Sequence, residues 1–243
     1  MNIPSLLVAH GSRDPRPQQR LNQLAKSLEE RSSCSLVGTA TLELAALPLH
    51  QQIQAFAQFS LSAGYSQVQI LPLFLSSGVH VNIDLPQEVA IAQEQLGTNI
   101  QLKLLPYLGS QLNRLVPLIT TKMATVETKH WILVAHGSRH LGGNLPLEQL
   151  ATQIQAIPAY WSVTSSLETQ IQRLISSGVN HIGIINYFMF SGGITDAMGS
   201  AQPKAITQSI QQFSLEFPTI NFHVISPLDM NDHLVDLIED LLN

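Results

Sequence analysis

The sequence predicts an α/β protein of two tandem domains, each a four-stranded parallel sheet with helices on both faces. Three observations carry this. Leu7-Val8-Ala9-His10-Gly11-Ser12-Arg13 recurs as Leu133-Val134-Ala135-His136-Gly137-Ser138-Arg139, an offset of 126 in a chain of 243 residues. A period this long denotes two domains rather than a solenoid. Within each half, short apolar runs of strand length alternate with longer segments of helical period. The runs are continuous, as in strands buried on both faces of a parallel sheet. Two further echoes keep the same order: Thr41-Leu42-Glu43 with Ser166-Leu167-Glu168, and Leu71–Gly78 with Ile185–Gly192.

In the first half, Ile3–Ala9 is an apolar strand, and the segment after Pro15 and Pro17 is a helix through Arg31 with Leu21, Leu24 and Leu28 on one face. Strand Ser35–Leu42 and helix Pro48–Ala63 follow, the helix stopped by Gly64. Strand Gln67–Leu75 leads to helix Leu85–Leu96, stopped by Gly97, and strand Ile100–Leu105 leads to helix Gln111–Ala124. The second half has strands near Trp131–Ala135, Tyr160–Ser166, Asn180–Phe188 and Ile220–Ile225. Its helices fall near Pro146–Ala156, Glu168–Ser177, Ala201–Phe213 and Asp232–Leu242. The polar stretch Thr125–Lys129 is the expected linker, giving domains of residues 1–125 and 129–243.

Composition narrows the function classes. The chain is 44% apolar and 12% charged, enough core and no disorder signature. A net charge of −5 argues against nucleic acid as a partner. Residues 1–126 carry 8 basic and 7 acidic groups, a net of +1, and residues 127–243 carry 4 and 10, a net of −6. The first half is therefore better suited to an anionic ligand. The single cysteine, Cys34, excludes an internal disulfide or an all-thiolate metal site and reads as a small core hydrophobe. The N-terminus has no basic region ahead of its apolar run, so no secretory signal is expected. The longest apolar stretch, Ile182–Phe190, is too short to span a bilayer and is interrupted by Asn186. A cytoplasmic protein with no membrane partner is expected.

Ligands of open parallel sheets bind beyond the carboxyl ends of the strands. His10 ends the first strand, Glu43 ends the second, and His80 lies in the loop after the third. Two imidazoles and a carboxylate at one sheet edge suit a divalent iron, cobalt, nickel or zinc ion rather than calcium or magnesium. Three ligands leave positions open for exchange. Gly11 permits a tight turn beside His10, and Ser12 can bind through its hydroxyl. Glu43, set among Leu42, Leu44, Ala45 and Ala46, is costly to bury unless paired or metal-bound. His50, His130, His181, His223 and His233 read as surface or satisfied residues, whereas His140 follows the second His-Gly-Ser-Arg. No Gly-x-Gly-x-x-Gly, phosphate-binding loop or Gly-x-Ser-x-Gly elbow is present, which excludes standard dinucleotide-binding, nucleotide-hydrolysing and serine-hydrolase motifs.

Leu-Val-Ala-His10-Gly-Ser-Arg, Glu43, and Pro72-Leu-Phe-Leu-Ser-Ser-Gly-Val-His80-Val-Asn-Ile-Asp84 together resemble the sirohydrochlorin chelatase family. These are the class II, ATP-independent chelatases, here in the two-repeat form. The resemblance implies chelatase-like domains of the flavodoxin-like or Rossmann-like kind. It implies insertion of ferrous iron or cobalt into sirohydrochlorin, in sirohaem or cobalamin biosynthesis, with the metal a substrate and no permanently bound cofactor. His10, His80 and Glu43 resemble the family's metal-holding and proton-accepting residues. Arg13, Arg16 and Arg139 are candidate partners of the substrate carboxylates, and Ser12, Ser76, Ser77 and Gly78 are candidate substrate contacts. In the second repeat, His136 and Glu168 align with His10 and Glu43, but Ile194 aligns with His80. The second site is therefore expected to be degenerate, and the chain to act as a two-lobed monomer. A non-catalytic metal or tetrapyrrole carrier is the alternative, with a metal-dependent hydrolase the weaker third. Iron and cobalt stay open, with the lack of a histidine-rich tract and of a cysteine cluster leaning toward iron.

Overall fold

The apolar run after Pro4 becomes strand β1 (Ser5–Ala9), the centre of the first sheet in this computed structural model. The structure describes residues 3–31, 36–138, 142–162, 166–195, 205–225, 228 and 232–243. Cys34, Arg139 and His140 lie outside them. Helix α1 (Pro15–Glu30) opens where Asp14 accepts the Arg16 backbone N–H, with prolines in its first turn where no N–H is needed. Its buried face is Leu21, Leu24, Ala25 and Leu28, spaced three and four apart. Then come β2 (Val37–Thr41), α2 (Leu49–Ser62), β3 (Gln67–Pro72), α3 (Leu85–Leu96) and β4 (Gln101–Leu104). All pairings are parallel, in the order β2-β1-β3-β4. His80 is not in a loop, as expected from sequence. It opens a π-helical turn, His80–Asp84, that runs directly into α3.

The first repeat ends with α4 (Leu112–Met123), and the second runs through β5 (Trp131–Ala135), α5 (Leu145–Gln153), β6 (Ala156–Tyr160), α6 (Leu167–Ser176), β7 (His181–Asn186), α7 (Ile206–Glu216), β8 (Asn221–Ile225) and α8 (Asp232–Leu242). Its sheet order is β6-β5-β7-β8, again all parallel. One expectation fails here. The sequence assigned Ala156 to a helix and the strand to Tyr160–Ser166, whereas α5 stops at Gln153 and β6 starts at Ala156. Pro158 sits inside this strand, which is tolerated because β6 is an edge strand. No helix among the described residues is long and apolar enough to cross a membrane.

By compactness the chain divides into residues 1–110 with 230–243, and residues 111–229. These units differ from the sequence repeats by one helix each. In the first unit, Leu6, Val8, Val68 and Ile70 pack on Leu49, Ile53 and Ala57 of α2 and on Leu85, Val89, Ala92 and Leu96 of α3. The opposite strand face carries Ser5 and Gln69, and here α8, the last helix of the second repeat, packs beside α1. Buried Gln69 donates to Ser5 Oγ at 2.9 Å and to the Leu242 carbonyl at 2.7 Å. Arg31 pairs with Asp232 at 2.9 Å and with Asp236. In the second unit, Ile132, Val134, Ile182 and Ile184 pack on Ile171 and Leu174 of α6 and on Ile206, Ile210 and Phe213 of α7. There α4, from the first repeat, packs beside α5 and buries Leu115, Leu118 and Ile119.

Candidate metal centre

β1 ends at Ala9, so His10 is the first side chain beyond the carboxyl edge of the first sheet. Glu43 lies two residues past the end of β2, and its backbone N–H donates to the His10 carbonyl at 2.9 Å. Gly11 makes that approach possible. Its φ is +102°, and a Cβ there would stand 2.0 Å from the Glu43 carbonyl oxygen. Leu44, next to Glu43, adopts a φ of +61° although it is not glycine. Such a backbone state costs on the order of 1–3 kcal/mol and persists where its surroundings over-determine it. The exits of β1 and β2 are thus pinched together, which sets His10 and Glu43 side by side.

His80 follows the connection after β3 and opens the π-helical turn. Its ring stands edge-on to His10, with centroids 4.8 Å apart, and Phe74 lies 6.2 Å from the His10 ring. One donor atom each from His10, Glu43 and His80 falls within 4.8 Å of the others. His10 Nδ1 lies 3.3 Å from the Gly11 carbonyl and His80 Nδ1 lies 2.7 Å from Asp84 Oδ2. With protons on both Nδ1 atoms, both Nε2 lone pairs are free for a cation. His10 and Glu43 are exposed and His80 is half-buried, so the centre is open to an incoming ligand.

The other expected site residues are not equivalent. Ser12 Oγ accepts the Asp14 backbone N–H at 3.0 Å, a turn contact. Arg13 is exposed in the loop after β1 and has no partner among the described residues. Arg16 is instead bound locally, its Nε donating to both Asp14 oxygens at 3.0 Å. That guanidinium holds the Asp14 carboxyl below the usual carboxylate range. Ser76, Ser77 and Gly78 lie in the connection from β3 to His80, with Ser76 exposed. A Cβ on Gly78 would meet nothing within 4 Å, so space does not demand glycine there. His50 is satisfied by Glu88, 2.9 Å from its Nδ1. Asp84 was missed as a site residue, although the four-residue spacing from His80 was visible in the sequence.

The sequence profile of CbiX matches residues 4–125 and again 130–243. The chain belongs to the CbiX family. Among curated relatives, a sirohydrochlorin cobaltochelatase of Methanopyrus kandleri is 28% identical over 92 residues, which is 38% of this chain. The match spans 62% of that relative's length. Among solved structures, SirB from Bacillus subtilis with Fe3+ has a TM-score of 0.78 at 17% identity, covering 100% of this chain and 94% of that one. The sirohydrochlorin chelatase SirB from Bacillus subtilis subspecies spizizenii, in complex with cobalt, has a TM-score of 0.74 at 18% identity with the same coverages of 100% and 94%. At these identities the likeness is one of fold.

In this CbiX chain the second repeat does not rebuild the trio. Register makes the comparison. Leu42 and Glu43 donate their N–H groups to Ala9 and His10, and Trp161 and Ser162 donate theirs to Ala135 and His136. The residue equivalent to Glu43 is therefore Ser162, not Glu168. Glu168 sits in the first turn of α6 and accepts from Ser209 Oγ at 2.7 Å. The sequence echo misled because β6 begins earlier than its helical surroundings indicate. Ser162 Oγ donates to the His136 carbonyl at 2.7 Å, and the His136 ring lies 5.6 Å from Trp161. Ile194, aligned with His80, packs against the core. Among the described residues, no trio of this kind occurs outside His10, Glu43 and His80.

Proposed function

We propose that this protein inserts a divalent metal, ferrous iron or cobalt, into sirohydrochlorin, and that the first repeat carries the reaction. The observation that supports this best is the open trio of His10, Glu43 and His80 at one sheet edge. Membership of the CbiX family and relatives named as sirohydrochlorin cobaltochelatases point the same way. Insertion exchanges two pyrrole N–H protons for one dication, so the site must hold a metal, release it and accept protons. Three ligands, two of them exposed, leave coordination positions open, which favours release. Neutral imidazole can serve as ligand or base near neutrality, and Glu43 can take either duty. A bound metal lowers the basicity of its own ligands, so the two duties fall on different members at any moment. The exposed side chains Leu44, Val79 and Ile83, which flank the ligands in sequence, offer an apolar seat for the macrocycle face. Arg13 supplies an unpaired guanidinium for a substrate carboxylate. The protein acts as a cytoplasmic monomer without nucleic acid or membrane. A steady-state assay with sirohydrochlorin and ferrous iron, cobalt or nickel tests the proposal. Insertion no faster than the uncatalysed rate with every metal would leave only carriage, and would refute it.

A further inference from the structure

We infer that Asp84 is a positioning residue for metal capture, holding the His80 imidazole in the tautomer and rotamer that present Nε2 to the cation. This rests on the proposed metal site and extends it by one residue. The Asp84 carboxylate lies 2.7 Å from His80 Nδ1, within charge-assisted hydrogen-bond distance. A carboxylate can only accept, so Nδ1 must carry the proton and the Nε2 lone pair is left for the metal. The two side chains are 38% and 36% exposed, so burial does not force the pairing. An exposed pair of this kind contributes little to stability, which leaves orientation as its consequence. The π-helical turn encloses the pair, because the Leu85 N–H donates to the His80 carbonyl across it. Asp84 stands at the start of α3 yet makes no capping bond to that helix, its carboxylate being turned back toward His80.

The second repeat loses both members together. Ile194 replaces His80, and the same offset of 114 places Met198 against Asp84 in the sequence. Where no imidazole needs orienting, no carboxylate is kept. Ligand histidines elsewhere depend on such partners, whose loss costs about 10–100-fold in metal affinity.

The test uses the full chain and cobalt(II) alone, so it does not depend on turnover. Visible absorption of bound cobalt gives the affinity, and nitrogen-15 NMR of the metal-free protein gives the His80 tautomer, assigned by its loss in His80→Ala. Asp84→Ala is expected to weaken cobalt binding about 10–100-fold and to convert His80 from a single Nδ1–H tautomer to a mixture. Asp84→Asn, which keeps an acceptor oxygen, is expected to retain the tautomer and stay within a few-fold of wild-type affinity. Wild-type affinity and an unchanged tautomer in Asp84→Ala would overturn the inference, as would equal weakening in both variants with the tautomer unmoved. If His80→Ala binds cobalt as tightly as the unmodified protein, the metal site itself is wrong and the inference falls with it.

Discussion

Ile238→Ala separates the repeats written in the sequence from the units built by the fold. Ile238 is fully buried on α8, which belongs to the second repeat by sequence but packs in the unit that contains β1–β4. Removing a buried isoleucine side chain beyond Cβ costs ~2–5 kcal/mol. At ~1.4 kcal/mol per factor of ten, amide exchange through unit-wide opening should rise by about 30-fold to a few thousand-fold. The rise is expected in β1, β3 and α1, more than 160 residues away in sequence, since α8 lies beside α1 and meets Gln69. Ile119→Ala is the mirror experiment. Ile119 is 1% exposed on α4, which comes from the first repeat but packs in the unit that contains β5–β8. Its loss is expected to release β5 and α5. Hydrogen exchange read by mass spectrometry resolves both units in one sample. If Ile238→Ala loosens only β5–β8 and Ile119→Ala only β1–β4, the exchange of helices between the units is refuted.

His10→Ala and His80→Ala should each abolish most metal insertion, while His136→Ala should lower it far less; equal loss in all three would defeat the one-site assignment. Gly11→Ala should destabilise by ~1–3 kcal/mol in thermal unfolding and lower cobalt affinity as well, because its Cβ would fall 2.0 Å from the Glu43 carbonyl oxygen, a backbone atom that cannot swing aside. Leu44→Gly should raise the melting temperature by relieving about 1–3 kcal/mol of backbone strain, yet raise the KM for sirohydrochlorin through loss of the exposed apolar side chain. Tyr160, which donates to Glu148 at 3.2 Å, has its hydroxyl pushed up to about 12 by burial and by that carboxylate. A folded-state value above the unfolded one of 10 makes its stabilisation complete below pH 10 and progressively lost toward pH 12, and tyrosinate difference absorbance in wild type and Tyr160→Phe should show this step.

How much was legible before folding follows from what each signal encodes. Continuous apolar runs such as Leu6–Ala9 and Trp131–Ala135 specify strands buried on both faces, and alternation with helices specifies a parallel sheet. Once the sheet is parallel, every strand exit lies on one edge, so His10, Glu43 and His80 could be grouped without coordinates. Local pattern could not place β6, because Ala156-Ile157-Pro158 carries no strand signature of its own and becomes a strand by lying against the edge of β5. That shift hid the equivalence of Ser162 with Glu43. Nor could periodicity assign α4 and α8, since an amphipathic pattern states that a helix has an apolar face but not which sheet receives it. The Asp84 contact is of the same kind: its spacing from His80 was visible, but only the π-helical turn decided that the carboxylate faces the imidazole. Residue types alone say which groups are apolar and which can hold a metal; their partners follow only from the folded chain, because a partner is set by distances between segments far apart in the chain.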